Sequence, residues 1–107
     1  MGYLKYNGEE FEFDDRTATH LQIAIGAKLR RAEHFFLTWQ LDHTRGSGRH
    51  SVWIDNGVSL HFFFSGSKTV TVNRVWLDQL MLTSSTPGGM QVGPEPLNKP
   101  TVAEDES

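Results

Sequence analysis

The chain contains no cysteine among its 107 residues. That excludes disulfides, thiolate zinc sites and a cysteine nucleophile, and it fits the reducing cytoplasm that is the expected location. No apolar run approaches the ~18 residues of a membrane span, so no membrane partner is expected. No basic stretch followed by an apolar run opens the chain, so no signal peptide is expected. Charge of one sign is also scarce. The net charge is −3, but Glu95, Glu104, Asp105 and Glu106 against Lys99 account for all of it. Residues 1–92 carry nine acidic and nine basic side chains. Nothing in that balance calls for a polyanionic partner. No Gly-x-Ser-x-Gly elbow and no His-x-x-x-His spacing occurs, so neither catalytic residues nor metal ligands are assigned, and no cofactor is implied.

What is present reads as one α+β domain over residues 1–92. Residues 93–107, with three prolines and an acidic end, read as a disordered tail. Residues 3–6 and 10–13 are short strands around Asn7-Gly8, a two-residue hairpin signal. Asp14-Asp15 cap a helix whose stripe is Ala18, Leu21, Ala24, Ile25 and Leu29. Gly26 sits inside that helix and is expected to allow close approach to a sheet. His20 lies off the stripe and is expected to face solvent. Residues 35–41 alternate as a third strand. Asn73 caps a second helix with Trp76, Leu77, Leu80 and Met81 buried, and Pro87-Gly88-Gly89 stops it. Residues 90–92 form a last edge strand. The order is β-β-α-β-β-β-α-β, a mainly antiparallel sheet with two helices packed on one face.

Residues 49–64 read as a hairpin around Asp55-Asn56-Gly57. A two-residue Asn-Gly loop would mix polar and apolar side chains on both faces. A three-residue loop pairs Ile54 with Val58, Val52 with Leu60 and His50 with Phe62, which leaves one clean apolar face. Gly57 then takes the left-handed position of a bulged turn. The opposite face gathers Arg49, Ser51, Trp53, Ser59, His61 and Phe63. Of these, Arg49, Ser51, Trp53, His61 and Phe63 are the candidate binding residues, because rings stack on bases and arginine holds phosphate. The loop Arg45, Gly46, Ser47 and Gly48 is a second candidate, for anions, since glycine lets backbone amides converge. The bland alternatives are a covered sheet face and an ordinary loop.

Asp14-Asp15-Arg16, His20-Leu21, Lys28-Leu29-Arg30-Arg31, Phe35-Phe36, Gly48-Arg49, Trp53, Asn73-Arg74 and Trp76-Leu77 together resemble a group of small uncharacterised actinobacterial proteins of about a hundred residues. The resemblance covers residues 1–96. Automated naming often labels that group ATP-dependent DNA ligase. A ligase of that kind attacks ATP with the lysine of Lys-x-Asp-Gly, whereas this chain has Lys5-Tyr6-Asn7-Gly8 and is too short for a nucleotidyltransferase domain. The expected role is therefore a non-enzymatic binding domain, for single-stranded nucleic acid or another protein. The alternatives are a self-associating structural protein, which would be a homo-oligomer, and a small nucleotide- or phosphate-binding enzyme.

Overall fold

A computed structural model describes residues 2–40, 48–67 and 69–97. The first hairpin is β1 (Gly2–Tyr6) and β2 (Glu9–Phe13). Asn7 and Gly8 both take positive φ, 48° and 92°, as a type I′ turn requires. Tyr6 then faces Glu9. Lys5 therefore lies on a strand and Asn7-Gly8 in a tight turn.

Helix α1 (Asp15–Arg30) starts at Asp14, whose side chain accepts from the Thr17 amide at 2.7 Å. It ends in a Schellman closure: Ala32 takes φ 56°, and the Ala32 and Glu33 amides donate to Leu29 and Lys28 carbonyls. Gly26 is not a contact glycine. A Cβ there would meet only the tip of Arg30 at ordinary distance.

Strands β3 (Phe35–Gln40), β4 (Arg49–Ile54) and β5 (Leu60–Phe63) follow, then α2 (Arg74–Ser84) and β6 (Met90–Val92). The α+β class and the element order are those read from the sequence. The strands form two three-stranded sheets, ordered β2-β1-β5 and β4-β3-β6. All pairings are antiparallel except β3 with β6. Helix α1 packs on β1 and β5, α2 on β3 and β6, and the helices touch each other.

The expected hairpin over residues 49–64 does not form. Val52 opposes Leu37 of β3, while Phe62 opposes Leu4 of β1. Gly57 is not in the left-handed region. Residues 55–59 instead carry the chain from one sheet to the other. Asp55 accepts from the Gly57 amide at 2.7 Å, and Asn56 donates to the Leu29 carbonyl at the end of α1 at 3.1 Å. The alternation was right, since Ile54 and Val52 point inward and Arg49, Ser51 and Trp53 outward. The pairing was wrong because Leu37 and Leu60 satisfy Val52 equally well as apolar neighbours.

The core lies between the sheets and the helices. Leu4, Leu21, Ile25, Leu37, Ile54, Leu80 and Met90 are fully buried. The sheets meet where Phe11 and Phe13 set their rings edge-on to Trp39, at 5.0 and 5.2 Å. Among the described residues, no helix is long and apolar enough to cross a membrane.

Candidate functional site

The outer face of the β4-β3-β6 sheet holds three of the candidate binding residues, and β3 supplies their neighbours. Trp53 opposes Phe36, Ser51 opposes Thr38 and Arg49 opposes Gln40. On the other side of β3, Gln91 of β6 aligns with Thr38. Phe36, Thr38, Gln40, Arg49, Ser51 and Gln91, with Pro87 and Gly88, line an open groove of about 440 Å³. His61 and Phe63 are not part of it. They lie on the other sheet, where His61 opposes Lys5 and Phe63 stacks on Tyr3 at 5.0 Å. The surface expected to be one patch is thus two, because its halves sit on separate sheets. Arg45, Gly46 and Ser47 of the expected anion loop lie outside the described residues. Gly48 is exposed at the start of β4.

Phe36 and Trp53 are each 42% exposed. Their rings meet edge to face at 5.1 Å and 67°. The Trp53 indole N–H donates to Asp55 Oδ2 at 2.9 Å. The ring is thereby held, and what it presents outward is apolar surface without an unmet donor. Gly57 and Trp53 donors on Asp55 hold its carboxyl below the usual range. Trp53 therefore has an ionised anchor.

The middle of the groove is polar. Thr38 is buried and donates to the Gly88 carbonyl at 3.0 Å. Its hydroxyl has one hydrogen, so the 2.9 Å contact with Ser51 has Ser51 as donor. Ser51 keeps its own lone pairs as acceptors. Arg49 has no hydrogen-bond or ion-pair partner among the described residues. Arg49, with no carboxylate partner among the described residues, and Phe36 both line this groove, so a ligand with a planar ring and an anionic group would find a contact for each.

Sequence reading missed Phe36, Gln40 and Gln91. The alternation of β3 put Phe36, Thr38 and Gln40 on one face. Nothing local showed that this face continues that of β4. Gln91 joins only through the parallel β3–β6 pairing.

A second polar assembly lies across the molecule. His20 was expected to be solvated and is completely buried. Its Nε2 accepts from the Asn73 amide at 2.8 Å, so the hydrogen sits on Nδ1, which donates to the Arg16 carbonyl at 2.7 Å. Its ring stacks on Trp76 at 4.6 Å. Asn73 caps α2 with its oxygen and donates through Nδ2 to Glu95 and to the Pro96 carbonyl. Glu95 in turn receives a bidentate pair from Arg16 at 2.8 and 2.6 Å. Arg16 and Asn73 lower the Glu95 pKa to about 2. This ring of bonds ties residues 93–97 onto both helices. Residues 93–97, which the sequence reading assigned to a tail, thus include two that are bonded to the helices, Glu95 and Pro96; residues 98–107 lie outside the described residues. With every ring nitrogen engaged, His20 is a structural histidine.

Over residues 1–95 the chain matches a protein family described as a domain of unknown function (DUF7882). No curated protein and no solved structure matches it.

Proposed function

The chain belongs to the DUF7882 family, and from its own surface we propose that it is a non-enzymatic binding domain for single-stranded nucleic acid, working through the outer face of the β4-β3-β6 sheet. The observation that carries this is the alignment of Phe36 and Trp53, both half-exposed, with Arg49, which lies four residues along β4 on the same face and has no partner among the described residues. Four residues along a strand span about 13 Å, so rings and cation serve different parts of one extended ligand. Bases stack on the rings regardless of sequence. Hydroxyls and amides between them meet base edges or sugar. A duplex hides the base faces that the rings would stack on, and its phosphate term is one that a domain neutral over residues 1–92 supports weakly.

The test uses the full chain and oligothymidylate at low salt. Binding is expected, with a shallow salt slope near −0.7 for about one phosphate contact. Trp53→Ala is expected to weaken it about tenfold, in the range of one lost base stack. Arg49→Ala is expected to flatten the salt slope. No binding by the folded protein at low salt overturns the reading.

The alternative is self-association through the same face, which the paired exposure of Phe36 and Trp53 also suits. Light scattering separates the two. A concentration-dependent mass that Trp53→Ala abolishes favours self-association, and a strict monomer removes it. Strand addition along β4 is the weaker form of that idea, because the Tyr6 hydroxyl already occupies the Trp53 carbonyl at 2.7 Å.

A further inference from the structure

The face groove does not end at Gln40 and Gln91. Both glutamines also line a second groove of about 450 Å³ along the β6 edge, together with Trp39, Val92, Gly93 and Pro94. The chemistry of the two grooves differs. The first has the cation, Arg49. The second has no charged side chain among the described residues that line it, which suits a neutral group.

Its polar wall is built with a fixed sense. Gln91 Nε2 donates to the Gly88 carbonyl at 2.9 Å and to the Gly89 carbonyl at 3.3 Å. Those bonds use both amide hydrogens, and a flipped amide would set its oxygen against two carbonyls. Gln91 Oε1 is therefore committed as an acceptor. Gln40 is exposed and makes no hydrogen bond among the described residues, so its amide offers donors and an acceptor together. Val92 and Pro94 add apolar walls. A fixed acceptor beside an adaptable amide, between apolar walls, matches a planar ring carrying N–H on its edge. Every nucleobase has such an edge.

We propose that the Trp39–Pro94 groove is a second base subsite, so that the protein engages neighbouring nucleotides of one strand rather than a single nucleotide. This rests on the reading of the sheet face as a nucleic-acid surface. One base stacks at Phe36 and Trp53, Arg49 holds backbone phosphate, and the next base enters the groove across Gln40 and Gln91. β4 and β6 are two strand spacings apart, about 10 Å, so one strand reaches both.

The experiment follows amide and indole resonances of the ¹⁵N-labelled full chain against thymidine monophosphate and against a thymidylate tetramer. The Trp53 indole N–H reports the first subsite and the Gly93 amide the second. The monophosphate is expected to move Trp53 alone. The tetramer is expected to move both and to bind about tenfold tighter or more. Gly93→Leu provides a block. A Cβ at Gly93, which lines the groove, meets nothing within 4 Å among the described residues, so a larger side chain is tolerated there without straining the fold. It is expected to erase the gain with length and leave monophosphate affinity unchanged. If Trp53 responds while Gly93 never does and affinity is independent of length, the second subsite is wrong and the binding face stands. If neither responds, both are wrong.

Discussion

At the scale of single residues, His20 shows how a polar side chain is decided by its partners. A helix position off the apolar stripe reads as exposed, yet this imidazole is buried with both nitrogens engaged. It tolerates burial because each nitrogen meets a matching group. His20→Phe keeps an aromatic ring against Trp76 but leaves the Asn73 amide without its acceptor. A loss of about 1–3 kcal/mol in urea unfolding is expected, the cost of one unmet buried donor. A loss under a few tenths would mean that solvent reaches Asn73. The carboxylates follow the same logic. Asp15 accepts from the Gly66 and Ser65 amides, and these hold its pKa low. The second aspartate of the pair thus ties down the segment after β5, while the first caps α1.

At the scale of elements, two glycines give opposite expectations. Gly89 takes φ +83°, and a Cβ there would stand 2.3 Å from the Phe36 carbonyl oxygen. Both the left-handed backbone and the close approach require glycine. Gly89→Ala is expected to cost at least about 2 kcal/mol, by strain and by prising β6 from β3. It should also speed amide exchange along β3. Gly26, in contrast, has an ordinary helical backbone and only Arg30 nearby. Gly26→Ala is expected to stabilise by about 1 kcal/mol, the helix-propensity difference. Thermal melts of both variants check the pair, and equal effects would contradict the geometry. Elements were also where sequence reading worked best. The Asn7-Gly8 turn, the Asp14 and Asn73 caps and both helical stripes are short-range signals found where the sequence placed them, though Leu29, Leu77 and Met81 are only partly buried.

At the scale of the whole molecule, the Arg16–His20–Asn73–Glu95 ring fastens residues 93–97 across both helices. Glu95 has its pKa lowered from 4.5 to about 2, chiefly by the Arg16 pair. A carboxylate depressed on folding contributes stability that is full above its unfolded value and fades as pH falls through the folded one. The contribution should therefore hold above about pH 5 and disappear toward pH 2. Glu95 is 31% and Arg16 43% exposed, so solvent screening limits it to about 1 kcal/mol. Urea midpoints of the parent and Glu95→Gln between pH 6 and 2 check this. The gap should close at the acid end, and a constant gap would refute the ion pair's role. Gly93 and Pro94, which line the second groove, belong to the segment that this ring fastens. A fragment ending at residue 92 would lose both the fastening and part of the groove.

Class, order of elements, caps and the inward or outward sense of the β3, β4 and β5 residues were legible in the sequence alone. Those depend on neighbours within a few positions, through backbone torsions, capping bonds and alternation. Beyond the β1–β2 hairpin, the sequence could not decide partners. The apolar sides of β4 and β5 match each other well enough to suggest a hairpin, and they match β3 and β1 equally well. Only the packed molecule, closing two sheets around one core, separates Trp53 from His61 and joins it to Phe36. The candidate site was thus half legible: Arg49, Ser51 and Trp53 from alternation within one strand, and Phe36, Gln40 and Gln91 only from pairings between strands distant in the chain. Burial of His20 was hidden for the same reason, since its acceptor role is met by an amide 53 residues away.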